Sequence, residues 1–305
     1  MKVIGLWNSG SPVAKGEIEK GLKRLDALGV AAVYPQQSRR WASRPDSAVR
    51  KFLAGPDLAK IEALEELSAS REIHDILALR GGYGGIRLLP LLDKTRFLKR
   101  YDKVLWGYSD LTVLQHYLFE ISGSSWVHGP MLSSASFHSP NPLEARWWKL
   151  AQKAETTHER LVVKALSSEL SLKRTEISGP LLGGNLASFV SMMGTPWEPR
   201  LPESTLLFFE DIHEPSYKLD RLLQQLGGHR DIKNVRALLL GHFTESPQAF
   251  SLLKLWAEGV GIPTYRGIRA GHQAPHIPLA LGVRVTLERH SETQGRLIVP
   301  FCNFV

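Results

Sequence analysis

One cysteine, Cys302, is all that this 305-residue chain supplies, so no disulfide can close within it and no multi-cysteine zinc site can be built. A secreted framework would show an even cysteine set, and a cytoplasmic location is the expectation. Long apolar runs are missing as well. No stretch approaches the roughly 18 consecutive apolar residues that a membrane-spanning helix requires, and the run after Lys2 stops at Asn8, too short for a secretory core. No membrane partner is expected. Internal repeats and low-complexity tracts are also absent, which excludes solenoids and disordered tails.

Charge of one sign is in mild excess: 38 Lys and Arg against 30 Asp and Glu give a net charge of +8. The basic residues are scattered, and the tightest groups, such as Arg39 with Arg40 or Lys173 with Arg174, are pairs rather than a stripe interleaved with aromatics. That pattern speaks against nucleic acid and for a basic surface that attracts small anionic substrates. At about 150 residues per domain the length allows two domains, each with its own core.

The first half alternates short β-rich runs (Val3 to Trp7, Val30 to Tyr34, Ile76 to Leu79, Val104 to Trp106) with helix-spaced apolar residues at Lys15 to Leu28, Leu58 to Leu67 and Leu111 to Ile121. Alternation of this kind predicts an α/β fold with a doubly wound, mostly parallel sheet, whose ligands sit beyond the carboxyl ends of the strands. A polar stretch at 152–171 reads as a linker between an N-terminal domain at 1–151 and a C-terminal one at 172–305. The latter carries strand-like runs at Leu206 to Phe209, Ala237 to Leu240, Val283 to Leu287 and Arg296 to Val299, and is expected to be β-rich with few crossover helices.

Two loops that end first-half strands hold the chemistry. Arg80-Gly81-Gly82-Tyr83-Gly84-Gly85 places four glycines in five residues before a helix, so bare backbone N–H groups can cradle an anion. It lacks the GxGxxG spacing of a dinucleotide site and no Walker lysine follows. Gly107-Tyr108-Ser109-Asp110 sets Ser109 where a strand turns into a helix, a setting that lifts a serine hydroxyl clear of the sheet. Taken by itself, Ser109 reads first as a plain cap for the following helix, because Ser and Asp are preferred caps. A serine nucleophile also needs a base and an acid. Among 11 histidines, His272 in a turn-rich loop and His242 after a strand stand out. Glu210 ends an apolar run, with Asp211, His213 and Glu214 beyond it, where a metal held through His213 is an alternative.

Six blocks in order, RGGYG (Arg80–Gly84), GYSD (Gly107–Asp110), HGPM (His128–Met131), GGNL with GTPW (Gly183–Leu186, Gly194–Trp197), FEDIHEPSYKLDR (Phe209–Arg221) and GH with LALG (Gly271–His272, Leu279–Gly282), resemble the LD-carboxypeptidases, serine peptidases that trim a terminal D-amino acid from murein peptides, and their microcin-immunity cousins. The resemblance implies Ser109 as nucleophile, Glu210 as the orienting acid and His272 as general base. It implies an oxyanion hole from the amides of Gly82, Gly84 and Asp110, no metal or other cofactor, and a homodimer acting on a murein tetrapeptide. The first loop, Asn8-Ser9-Gly10-Ser11-Pro12, and Ala280 within LALG depart from the family pattern, and His276 adds a second imidazole beside His272. Arg80 reads either as a clamp for the substrate carboxylate or as a structural ion pair. Rival readings are a microcin-immunity-type peptidase or amidase on a peptide-nucleotide or acyl-amide, and a non-catalytic protein that binds an anion at the glycine loop.

Overall fold

A computed structural model describes residues 3–95, 97–151 and 157–301. The first half runs β1 (Val3–Trp7), α1 (Lys15–Ala27), β2 (Ala31–Val33), α2 (Gln36–Trp41), α3 (Asp57–Ala69), β3 (Asp75–Ala78), α4 (Gly85–Leu92), β4 (Val104–Gly107), α5 (Leu111–Ser122), β5 (Trp126–His128), α6 (Ala135–His138) and α7 (Pro142–Ala151). The second half continues with β6 (Thr157–Ala165), β7 (Glu176–Asn185), α8 (Leu186–Ser191), β8 (Thr205–Ile212), α9 (Ser216–Gly227), β9 (Val235–Thr244), α10 (Ala249–Val260), β10 (Thr264–Arg266), β11 (Leu279–Leu281), β12 (Val283–Arg289) and β13 (Gln294–Phe301).

The first sheet has the order β11-β5-β4-β3-β1-β2, parallel throughout except for β11. Its strands are short and apolar on both sides because both sides are covered. Leu6, Leu77 and Trp106 face one layer, which includes Ile18 and Leu25 of α1. Trp7, Ile76 and Leu105 face the other, against Leu64 of α3, Leu88 of α4 and Leu114 of α5. Strand order reverses between β1 and β3, and the loops leaving those two strands lie against each other, Ser11 N–H donating to Gly81 O at 2.9 Å.

Two glycines let these loops touch. Gly10 packs so tightly under Gly81 that a Cβ on it would lie 2.1 Å from the Gly81 carbonyl oxygen, which is backbone and cannot step aside. Gly10→Ala is therefore expected to cost about 1–3 kcal/mol and lower the thermal midpoint by several degrees, read by calorimetry; an unchanged midpoint would contradict this packing. Ser11 binds both neighbours, its hydroxyl donating to Phe52 O (2.7 Å) and accepting from Tyr83 N–H (3.1 Å).

The β-rich second half is a closed barrel in the order β10-β6-β13-β12-β7-β8-β9, in which closure removes the sheet edges that a mixed open sheet would leave bare. Two expectations of domain division need correction. Of the expected linker, 152–156 lie outside the described residues, but β6 falls within it and pairs with β13 over eight residues, Thr157↔Phe301 to Lys164↔Gln294. Leu161, Val163 and Ala165 face the core while Arg160, Val162 and Lys164 face solvent, and this period-2 alternation hides inside a polar-looking composition. The second correction is β11, which lies in the 172–305 half yet pairs antiparallel with β5, Leu279↔His128 to Leu281↔Trp126. No described helix is long and apolar enough to cross a membrane.

Candidate active site

Ser109 lies two residues past the end of β4, with φ at 65°, in the left-handed region that a non-glycine residue occupies at a cost of about 1–3 kcal/mol. Its hydroxyl does not cap α5. Thr112 N–H bonds the Ser109 carbonyl (3.0 Å), and the carboxylate of Asp110 turns away to accept from Gly85 N–H at 2.7 Å. Asp110 thereby ties the nucleophile turn to the start of α4 and to the glycine loop above it. Burial raises its carboxyl to about 6, against the Gly85 hydrogen bond and the charge of Lys60, which pull it down. Lys60 itself is buried on α3, and a Cβ at Gly84 would lie 3.3 Å from its Nζ.

The glycine loop abuts the serine: the Cβ position of Gly81 is 3.1 Å from Ser109 Cβ and 3.5 Å from its Oγ. Gly82 (φ 93°) and Gly84 (φ 138°) take backbone conformations closed to other residues. Among the described residues, the amides of Gly82, Gly84 and Asp110 make no hydrogen bond. Arg80 donates from Nη1 to Pro12 O at 2.9 Å, so it braces the β1 loop through a carbonyl rather than through an ion pair.

Glu210 lies on β8 opposite Asn185 of β7. The register against β9 shifts between Phe209 and Asp211, and such a bulge re-aims side chains. Glu210 is fully buried. One oxygen, Oε2, accepts from His272 Nδ1 at 2.7 Å, and the other, Oε1, lies 3.5 Å from His128 Nε2. Burial alone would raise this carboxyl, but the imidazoles of His272 and His128 outweigh it and hold Glu210 well below the usual carboxylate range. Burial likewise pulls His272 down, and the Glu210 charge and hydrogen bond overcome it, so His272 titrates above 6.5. An ionised carboxylate can only accept; His272 Nδ1 is the donor, and Nε2 is left with its lone pair.

The His272 loop reaches Glu210 because Gly271 and Gly241 have no side chains. A Cβ at Gly271 would lie 2.9 Å from Glu210 Oε2, and one at Gly241 2.4 Å from Ala270 O. Beyond the histidine, Glu144 of α7 is buried and accepts from His276 N–H at 2.7 Å, anchoring this loop to the first half.

The two halves of the site meet at Tyr108. Its ring packs edge-on against His272 (centroids 4.8 Å apart) and His276 (4.5 Å), and tilted against His128 (5.7 Å). Tyr108, the residue before Ser109, thus brings the serine turn up against the ring of His272, which is bonded to Glu210. Further contacts lock the halves nearby: Asn185 N–H donates to Thr112 Oγ1 (3.0 Å), and the His116 ring bonds Gly183 O (2.9 Å).

Three expected features lie elsewhere or act differently. His213 is exposed and pairs with Glu245 at 3.0 Å, and no group of three potential ligands is gathered for a metal among the described residues. Asp211 does not bond His272 but accepts from Asn185 Nδ2 and Ala187 N–H (both 2.9 Å) at the start of α8; burial and then the Glu210 charge raise it to about 7. His242 lies within β9 rather than after it. The residues missed by reading the sequence are Tyr108, His128 and Lys60. His128 stood in a quoted motif without a role, and Lys60 sits among helix charges with no signal that its own is buried.

A hydroxyl on a strained strand-to-helix turn, and an imidazole bound to a buried carboxylate across Tyr108, are the equipment of a serine-type peptidase. The sequence profile of the LD-carboxypeptidase N-terminal domain matches residues 4–129, and that of the C-terminal domain matches 178–287. A Bacillus subtilis (strain 168) relative named "Probable murein peptide carboxypeptidase" is 31% identical over 300 residues, covering 95% of this chain and 90% of the relative. The crystal structure of muramoyltetrapeptide carboxypeptidase from Oxalobacter formigenes superposes with a TM-score of 0.81 at 25% identity, over 99% of this chain and 100% of that one. The Escherichia coli "Microcin C7 self-immunity protein MccF" is 23% identical, over 93% of this chain and 90% of its own. The chain belongs to the LD-carboxypeptidase family and is a serine-type carboxypeptidase.

Proposed function

We propose that the chain hydrolyses the peptide bond between the L-centre of the third residue and the terminal D-alanine of murein tetrapeptides, with Ser109, His272 and Glu210 as its triad. The observation that carries this reading is the 2.7 Å contact between His272 Nδ1 and the buried Glu210, which fixes the tautomer a general base needs. His272 Nε2 accepts the Ser109 proton as Oγ attacks the carbonyl carbon. The amides of Gly82, Gly84 and Asp110 stabilise the oxyanion, each donor contributing about 3 kcal/mol in comparable sites. The imidazolium then protonates the departing amine of D-alanine, and water attacks the acyl-enzyme to regenerate Ser109. A recycling role in the cytoplasm fits this substrate.

The test is incubation with synthetic tetrapeptides ending in an L,D or a D,D bond, reading released D-alanine by mass spectrometry. Release from the L,D peptide alone is the expected result. Cleavage of a peptide-nucleotide amide with no action on either tetrapeptide would transfer the assignment to the microcin-immunity branch, which the MccF similarity keeps in view.

The charge on Glu210 sets a pH dependence. His272 works as a base only when neutral, and its proton is held above the ordinary 6.5. The acid limb of kcat/KM is therefore expected to have its midpoint above 6.5, with activity rising as pH increases through it and lost below. A midpoint under 6 would disprove this coupling.

A further inference from the structure

Against the glycine loop lies a buried charge that the triad does not use. The side chain of Lys60, on α3, is 2% exposed, and among the described residues its Nζ makes no hydrogen bond. It is lodged where two loops of the site meet: a Cβ at Gly84 would lie 3.3 Å from Lys60 Nζ and 3.4 Å from Ser9 O. The main chain here has a separate task. Lys60 O accepts from Trp7 Nε1 at 2.9 Å, a bond that any side-chain substitution keeps. An ammonium without a hydrogen-bond partner is costly to bury, so its charge calls for a counter-charge.

Four charged groups act on Lys60: Asp57 of its own helix, Arg87 of α4, Asp46 of the loop after α2, and Asp110 of the serine turn. Asp57 lies 3.8 Å from Nζ, but its Oδ2 is already taken by Arg87, at 2.6 Å from Nη2 and 3.1 Å from Nε. Asp46 is paired with Arg50 at 2.7 Å. Asp110 forms no direct ion pair among the described residues, and its carboxylate accepts from Gly85 N–H. With each of the other two carboxylates holding an arginine, the one left for the lysine is the one beside Ser109. Burial lowers the Lys60 ammonium from its usual range, and the charges of Asp57, Asp110 and Asp46 oppose that fall. At Asp110, burial raises the carboxyl to about 6 while the Gly85 hydrogen bond and the Lys60 charge pull it down.

Resting on the reading of Ser109 as the carboxypeptidase nucleophile, we propose that Lys60 is a positioning residue for the reaction: its charge keeps Asp110 ionised, and ionised Asp110 grips Gly85 N–H and so holds the glycine loop against the serine turn. A charge-assisted hydrogen bond is roughly twice as strong as a neutral one, so loss of the Asp110 charge loosens the joint between the nucleophile and the amides of Gly82 and Gly84. Those groups must be aligned when charge develops on the attacked carbonyl, and a looser joint is therefore paid in kcat rather than in KM.

The experiment measures kcat and KM against pH on the L,D-terminated tetrapeptide for the wild type, Lys60→Met, Asp110→Asn and the double variant. In Lys60→Met the Asp110 carboxyl loses the charge that pulls it down and protonates at higher pH. The acid limb should therefore move above that of the wild type, and kcat at pH 7 should fall about 10- to 100-fold with KM nearly constant. Asp110→Asn offers Gly85 N–H an uncharged acceptor that does not titrate. In that background Lys60→Met has no charge left to support, so it should cost nothing further and leave the limb where it is. A wild-type limb and kcat in Lys60→Met, or an equal loss from Lys60→Met in both backgrounds, overturns the proposal. Should Lys60→Met alone fail to fold, the comparison of Asp110→Asn with the double variant decides, and a double variant tenfold slower overturns it. The rate at which a fluorophosphonate labels Ser109, with fluoride leaving, repeats the series without a peptide. If the wild type releases D-alanine from neither tetrapeptide, the carboxypeptidase reading falls, while the labelling series still decides the role of Lys60.

Discussion

Replacing Ser109 by alanine is expected to lower kcat by about 10⁴- to 10⁶-fold while the protein stays folded and still binds its peptide. The size follows from what the hydroxyl alone supplies. The amides of Gly82, Gly84 and Asp110 belong to the backbone and survive the change, as does the Glu210–His272 pair, so binding and some oxyanion stabilisation remain. Stability should hold or rise slightly, because no described hydrogen bond depends on the hydroxyl. The strained φ of 65° is retained, since alanine also carries a Cβ. Single-turnover kinetics beside a binding titration make the measurement. A folded variant with unchanged turnover would remove Ser109 from the reaction.

Glu210→Gln should cost about 10³- to 10⁴-fold in kcat, the scale seen when the orienting acid of a triad is neutralised without loss of shape. An amide that presents its NH₂ group to His272 Nδ1 would force the proton onto Nε2, the wrong tautomer for a base. The same change removes the negative charge that raises His272, so the residual activity should show its acid limb at lower pH than the wild type. These two readouts separate orientation from simple misfolding, which would lower activity without moving the limb. Turnover reduced less than tenfold would rule out Glu210 as the orienting acid.

Much of this was legible in the residues. Strands of the first sheet announce themselves as apolar runs because parallel strands are buried on both faces, and the glycine loop and the Ser109 turn show as Gly-rich breaks at their ends. The β-rich character of the second half was visible too. Barrel closure was not, because it depends on the long-range pairing of β6 with β13 and β10, and β6 displays charged residues on its outer face. The role of Tyr108 was equally hidden: packing of one ring among three imidazoles arises only when sheet and barrel meet. Lys60 was hidden because a lysine on an amphipathic helix reads as solvated, and only the fold turns it under Gly84.

The antiparallel contribution of Leu279–Leu281 to the first sheet has a consequence for how the protein is made. On the ribosome β5 emerges as an unguarded edge, and about 150 further residues must be synthesised before its covering strand exists, roughly 8–30 s at ordinary translation rates. An exposed edge invites pairing with other nascent chains. Expression of residues 1–151 alone would make that transient hazard permanent, so the nucleophile-bearing half is a poor fragment to produce by itself, and any split version of the enzyme should carry the 279–281 segment with it.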